Sequence, residues 1–302
     1  MPDKPAPDRA AMPSAVEHLL EILDLEEIAP GRYRGQSPQD GWQRVYGGQV
    51  LGQALVAASR TVDRLENPRF LHSLHAYFLR PGDPATPILY EVDIVRDGRS
   101  FSTRQVRAIQ NGKQIYMMSA SFQTEEVGME HQIDMPDVPM PEELMGEQEM
   151  RTMMLAQPNI PEPVQRYWQR ERPIEFRPVN LKHYVSNAQL PPQQHVWLRM
   201  TAPLPNDPAL QKCALAYMSD MTLLDTSLFA HGKSMFSDGL QMASLDHAMW
   251  FHRPFIAHEW MLYTQDSPST SNARGFCRGS LYSRNGELIA SVTQEGLIRR
   301  ID

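Results

Sequence analysis

The feature that most constrains how this chain can fold is a stretch that occurs twice. Residues 244–254, SerLeuAspHisAlaMetTrpPheHisArgPro, are echoed by HisAlaTyrPheLeuArgPro at 75–81. Behind His75 the chain runs 36 residues to the turn dipeptide Asn111-Gly112, and behind His247 it runs 38 residues to Asn285-Gly286. Each dipeptide is followed by a short apolar run of strand character. In front, Gly48 lies 27 residues before His75 and Asp220 lies 27 before His247, each in a segment with apolar residues at helical spacing. The repeat therefore predicts two units, each one helix followed by several antiparallel strands. The second unit has a carboxylate where the first has glycine.

A chain of 302 residues with 41% hydrophobic content can bury two ordinary cores. Its two cysteines, Cys213 and Cys277, sit in apolar segments without a second ligand at metal spacing, so neither a disulfide framework nor a zinc site is expected. No apolar run is long enough to span a membrane, and the N-terminus lacks the basic start and apolar stretch of a signal peptide. The expectation is a cytoplasmic protein without cofactor or metal. A net charge of -7 argues against nucleic acid as a partner, because phosphate neutralisation needs a clustered basic surface.

Taken in order, residues 1–13 hold four prolines and no periodicity and read as a disordered lead. Ser14 and Glu17 form a capping box, and Val16, Leu19, Leu20 and Leu23 then mark one helical face. After a strand-turn region near Tyr33, the segment 47–59 carries Gly47, Gly48 and Gly52 on a helix, where they suit close packing against a sheet; no phosphate-loop signature accompanies them. Strands are predicted at 70–79, 87–95, 101–110 and 114–123, which closes a first unit at 14–124. Residues 125–173, rich in Met, Pro and Glu, read as a linker with helical patterns near 142–156 and 162–171. The second unit, 174–302, opens with strands at 174–179 and 195–202. Asp207 caps a helix with Pro208 at its first position, and that helix, or one closely following, carries Ala216 to Phe229. Strands at 240–251, 259–266, 273–283 and 287–298 complete it.

Several residues invite a chemical reading. Ser244, Asp246 and His247 suggest a compressed hydrolase triad, but strand alternation puts Ser244 and Asp246 on one face and His247 on the other. There is also no GxSxG elbow. His72 and His75 fail as a metal pair by the same alternation, and His75 and His247 read as matched structural histidines of two sheets. Asp220 interrupts an apolar helical segment, so it is either a cap, a hydrogen-bonded core acid or a functional carboxylate. Ser244 alone is an ordinary strand serine, and Gln294 alone an ordinary amide.

Five motifs in order, GlyGlyGlnValLeuGlyGln at 47–53, HisAlaTyrPheLeuArgProGlyAsp at 75–83, ArgAspGlyArgSerPheSerThrArg at 96–104, AspHisAlaMetTrpPheHisArgPro at 246–254 and GlnGluGly at 294–296, resemble the acyl-CoA thioesterase II (TesB-type) family over nearly the whole chain. The resemblance implies an α+β double hot-dog fold, with two helix-plus-antiparallel-sheet repeats forming one continuous sheet. It implies hydrolysis of fatty acyl-CoA to free acid and CoA, and self-association into a dimer or tetramer. The family's catalytic Asp, hydroxyl and Gln fall on Asp220, Ser244 and Gln294, with serine standing where the family usually has threonine. Serine keeps the hydroxyl and loses the β-methyl that stiffens χ1. On this reading Asp220 is a base for water, and Ser244 and Gln294 are donors that hold the water and keep the carboxylate ionised. Backbone N–H groups at Gly47-Gly48 are candidates for the oxyanion, Met-rich segments for an acyl slot, and Arg80, Arg253, Arg274 and Arg278 for CoA phosphates. An enoyl-thioester hydratase or dehydratase, and a non-catalytic acyl-CoA binding protein, are the alternatives on the same architecture.

Overall fold

In a computed structural model the chain is described at residues 14–39, 43–156, 160 and 162–301, and the expected lead at 1–13 lies outside these. The helices are α1 (Ala15–Leu23), α2 (Gly47–Val62), α3 (Glu147–Leu155), α4 (Glu162–Gln169), α5 (Lys182–Val185) and α6 (Pro208–Ser219). The strands of the first unit are β1 (Glu26–Ala29), β2 (Arg32–Gly35), β3 (Phe70–Phe78), β4 (Ile88–Asp97), β5 (Phe101–Gln110) and β6 (Lys113–Gln123). Those of the second are β7 (Ile174–Pro178), β8 (Gln193–Met200), β9 (Leu240–Ser244), β10 (Asp246–Phe251), β11 (Met261–Ser271), β12 (Arg274–Ser283) and β13 (Leu288–Arg300). All pair antiparallel into one sheet ordered β1-β2-β4-β5-β6-β3-β10-β13-β12-β11-β8-β7, with β9 added to β13. The β3–β10 pair, Asp246 opposite Tyr77 through Trp250 opposite Ser73, joins the halves. This is the expected double hot-dog.

The local signals act as their chemistry requires. Ser14 and Glu17 close the capping box on α1, and Asp207 accepts the Ala209 amide ahead of Pro208. Asn111 and Gly112 both take positive φ in the β5–β6 hairpin, the backbone that lets a two-residue turn follow the strand twist. Asn272 and Ala273 do the same between β11 and β12. An alanine there gave no turn signal in the sequence.

Helix α2 is buried on nearly every side, since one face meets the first sheet and the other meets α6. The glycines account for the second contact. A Cβ on Gly48 would lie 2.4 Å from the Tyr217 carbonyl oxygen, and one on Gly52 3.3 Å from that of Cys213. The expected packing of these glycines against a sheet is thus corrected: they let α2 approach the helix of the other half. The Tyr46 hydroxyl ties the same seam by donating to Tyr217 O at 3.0 Å.

The helix expected through 216–229 is two pieces. Helix α6 stops at Ser219, Thr222 takes φ 67°, and a 3-10 segment, Leu224–His231, lies over β11 and β12 in the hollow of the second sheet. Gly296 makes room for it, because a Cβ there would meet the Leu224 side chain at 2.4 Å. The 3-10 segment, not α6, takes the place that α2 holds in the first unit, so Asp220 sits at the joint.

Two further expectations change. Aligning the repeats on Arg80-Pro81 and Arg253-Pro254 puts Leu74, not His75, at the place of His247. His75 is exposed and edge-on to Trp250 (5.2 Å between centroids), whereas His247 is fully buried. The matched-histidine reading was one residue out of register. The linker, for its part, covers the outer face of the second sheet. Gln132 bonds Gly286 O and the Leu288 amide, Trp197 donates to Pro139 O, and Met135, Val138 and Met140 pack on Trp197, Trp260 and Tyr282. Helices α3 and α4 are pinned by Arg172, which pairs with Glu147 at 2.7 Å and lies over the rings of Tyr167, Trp168 and Phe176.

Candidate active site

Three side chains meet where α6 ends, β9 ends and β13 runs inward. Gln294, fully buried on β13, donates through Nε2 to Asp220 Oδ1 at 2.9 Å and to Ser244 Oγ at 2.8 Å. Ser244 Oγ in turn donates to Asp220 Oδ1 at 3.5 Å, a long contact. The structure thus brings Asp220, Ser244 and Gln294 together.

Ser244 reaches this point because the strand expected at 240–251 is broken. Ala248 pairs with Thr293 and Ser244 with Gly296, so four steps along one strand match three along β13. The extra residue is a bulge at Leu245, whose amide still donates to Glu295 O. A bulge reverses alternation and re-aims a side chain. The prediction that Ser244 and His247 face opposite ways therefore fails, since both turn toward the end of α6, where His247 Nε2 contacts Ser219 Oγ at 2.9 Å. Asp246 is spent on the bulge, accepting the Glu295 amide at 2.7 Å.

The first half supplies the other wall. The start of α2 lies against the Asp220 carboxylate, and the Gly48 backbone there favours its charged form, as the positive end of a helix does. A Cβ on Gly47 would meet Asp220 Oδ2 at 2.6 Å. Asp220 as a residue is partly exposed while its carboxylate is enclosed, and the enclosure governs its proton. Burial pushes the acid up to about 6, against the Gln294, Gly48 and Ser244 hydrogen bonds that favour the charged form. Asp225, on the 3-10 segment, is pushed up to about 7 by burial and then by the charge of Asp220. Asp220, whose hydrogen bonds favour the charged form, ionises first and makes its neighbour harder to ionise.

The remaining candidates are engaged elsewhere. Arg274 pairs with Glu295 and Arg278 with Asp266, Arg80 donates to Gln114 O, and Arg253 donates to Leu288 O. Of the Met-rich residues, Met150 is buried, and Met154 lines a recess of about 190 Å³ with Tyr184 and Val185. Sequence reasoning missed the Gly48 amide as a partner of Asp220, along with Asp225, Ser219 and the inward turn of His247. A helix-start glycine pair was the one signal that could have led to the first.

Fold and site define a double hot-dog protein with a carboxylate–hydroxyl–amide cluster at the seam between its halves. Residues 37–123 match the model of the acyl-CoA thioesterase N-terminal domain and residues 164–297 that of acyl-CoA thioesterase. The chain is 41% identical to acyl-CoA thioesterase 2 of Haemophilus influenzae, over 95% of this chain and 99% of the relative. It is 39% identical to human acyl-coenzyme A thioesterase 8, over 97% and 92%. Among solved structures, the acyl-CoA thioesterase II TesB2 of Mycobacterium marinum superposes with a TM-score of 0.75 at 44% identity, covering 93% of this chain and 98% of that one. A hot-dog protein from Alicyclobacillus acidocaldarius superposes with a TM-score of 0.75 at 19% identity, over 94% and 99%, a likeness of fold. The chain belongs to the acyl-CoA thioesterase II (TesB) family.

Proposed function

We propose that this protein hydrolyses acyl-CoA thioesters by direct attack of water, with Asp220 as general base. The observation that carries the reading is an enclosed carboxylate at the seam of the two halves, held by two side-chain donors beside the start of α2, with its pKa raised to about 6. A base poised near working pH is ionised when substrate arrives yet basic enough to take a proton. Ser244 holds the water, and Gln294 fixes the Ser244 hydroxyl and the carboxylate that receive it. Its oxygen bonds to the thioester carbon while Asp220 takes one proton, and the tetrahedral intermediate expels sulfur. The proton then passes to the CoA thiolate, which gives free acid and CoA with no bond to the protein. The positive end of α2 favours the oxyanion as it forms.

The hydratase alternative needs an imidazole at the reacting face. His247 lies behind Gln294, buried and pushed down to about 4 by that burial, which favours hydrolysis. Thiol release from acyl-CoA esters of graded chain length tests the proposal. Release of one thiol per acid supports it, whereas an absorbance change at an enoyl bond without thiol, or binding without turnover, refutes it.

A further inference from the structure

Two buried polar atoms behind the cluster lack a partner within strict hydrogen-bond geometry: Gln294 Oε1 and His247 Nδ1. Each orphan answers the other. His247 and Gln294 stand across from each other one step beyond the Ala248–Thr293 pair of β10 and β13, and the second ring nitrogen, Nε2, is engaged by Ser219 Oγ at 2.9 Å.

Counting hydrogens fixes the arrangement. Gln294 has two N–H hydrogens, and both are directed forward, to Asp220 and to Ser244. Turning the amide over would set its oxygen against the carboxylate, so the Asp220 charge holds Oε1 to the rear. An amide oxygen can only accept, so the ring nitrogen that faces it must carry a hydrogen. A buried neutral imidazole has one N–H to place. If that hydrogen is on Nδ1, Nε2 is bare and the Ser219 hydroxyl donates to it in preference to Ala216 O or Met249 Sδ, which lie within its reach. If it were on Nε2, two buried lone pairs would face each other.

We propose that His247 is a positioning residue: in its Nδ1–H tautomer, set by Ser219, it holds Gln294 Oε1 and so aims both amide hydrogens at Asp220 and Ser244. The inference rests on the proposed role of the Asp220 cluster. Burial keeps the ring neutral around neutral pH, so it neither donates nor removes a proton in turnover. Ser219 contacts the ring and also reaches Met249 Sδ at 3.2 Å, and Tyr263 touches the same corner through Ser219 O at 2.9 Å.

The test uses substitutions that part the two ring nitrogens. Asparagine places an amide N–H close to where Nδ1 stands, and glutamine reaches only the Nε2 position. The proposal expects His247→Asn to retain most of the wild-type kcat. It expects His247→Gln and His247→Leu to lose about 10- to 100-fold in kcat, the range for removing a partner that orients a reacting group, with little change in KM. In those two variants the acid limb of the pH–rate profile should move to higher pH, because Asp220 loses a donor to its charged form. A structural role would rank the variants by melting temperature and leave the limb in place. Nitrogen-15 spectra of the wild-type protein, with His247→Leu to assign the ring, should show a neutral Nδ1–H imidazole. An Nε2–H tautomer, or equal kcat and an unmoved limb in the leucine and asparagine variants, overturns the proposal. Asp220→Asn, measured alongside, separates the two levels: if it is inactive while His247→Leu is fully active, only the positioning role falls. If Asp220→Asn is fully active, the cluster itself is not the catalyst.

Discussion

Asp220 carries an energetic conflict that makes its chemistry measurable. Its folded pKa of about 6 stands above the ordinary 3.8, so the folded state holds a proton that the unfolded chain has already released across that interval. A carboxylate raised in this way costs stability as pH rises from about 4 to 6, and the cost persists above 6. Asp220→Asn should therefore raise the melting temperature at pH 7.5, by on the order of 1–3 kcal/mol of stability, and the gain should shrink toward pH 4. Thermal unfolding at the two pH values checks it; an equal change at both would mean that the charge is not the cost. In the wild-type protein, kcat/KM should rise with pH through an apparent pKa near 6 and then level off. Ser244 is a second test at this scale. Ser244→Thr should retain or raise turnover, while Ser244→Ala should lose roughly ten- to a thousandfold in a thiol-release assay, and full activity in the alanine variant would remove the hydroxyl from the site.

Elements place these residues, and here the sequence was legible unevenly. Helix spacing, Asn-Gly turns and the repeat mark α2 and most of the strands because each depends on neighbours a few residues away. The bulge at Leu245 and the break after Asp220 left no such mark. The first depends on how two β strands register with β13. The second puts Thr222, not glycine, in the left-handed region. Asp220, Ser244 and Gln294 stood out as a set only through the family resemblance, since 24 and 50 residues separate successive members. Gly48 illustrates what contact between helices requires. Gly48→Ala puts a methyl 2.4 Å from the Tyr217 carbonyl, so the α2–α6 seam must open. The variant should lose about 1–3 kcal/mol together with turnover, and unchanged melting would contradict the packing. Ala273 gives the opposite case. With φ of 57° it holds a conformation that costs a non-glycine residue about 1–2 kcal/mol, so Ala273→Gly should stabilise the protein by a fraction of that, seen as a raised melting temperature without change in kcat.

For the whole molecule, duplication explains the division of labour. One sheet runs through both halves, and the site lies at their seam because α2 of the first half starts against Asp220 of the second. We propose 14–124 and 174–302 as the two domains, with 125–173 as a linker that also shields the outer face of the second sheet. In the first half, Tyr77 on β3 and Ile94 and Val95 on β4 are each more than half exposed, apolar side chains of the kind that a second copy covers in an oligomer. Light scattering at micromolar concentration should give a multiple of the 34.5 kDa chain, and a strictly monomeric mass would count against self-association. Among the described residues no helix is long and apolar enough to cross a membrane.

The most direct measurement of the central claim is single-turnover thiol release from acyl-CoA by Asp220→Asn, with binding affinity determined on the same preparation. Asparagine keeps the size of the side chain and removes the basic oxygen. The account predicts an affinity close to wild type and a chemical step slowed by about a hundred- to ten-thousandfold, the contribution of a positioned general base. Release at the wild-type rate would show that Asp220 does not activate the water, and the mechanism would have to be abandoned.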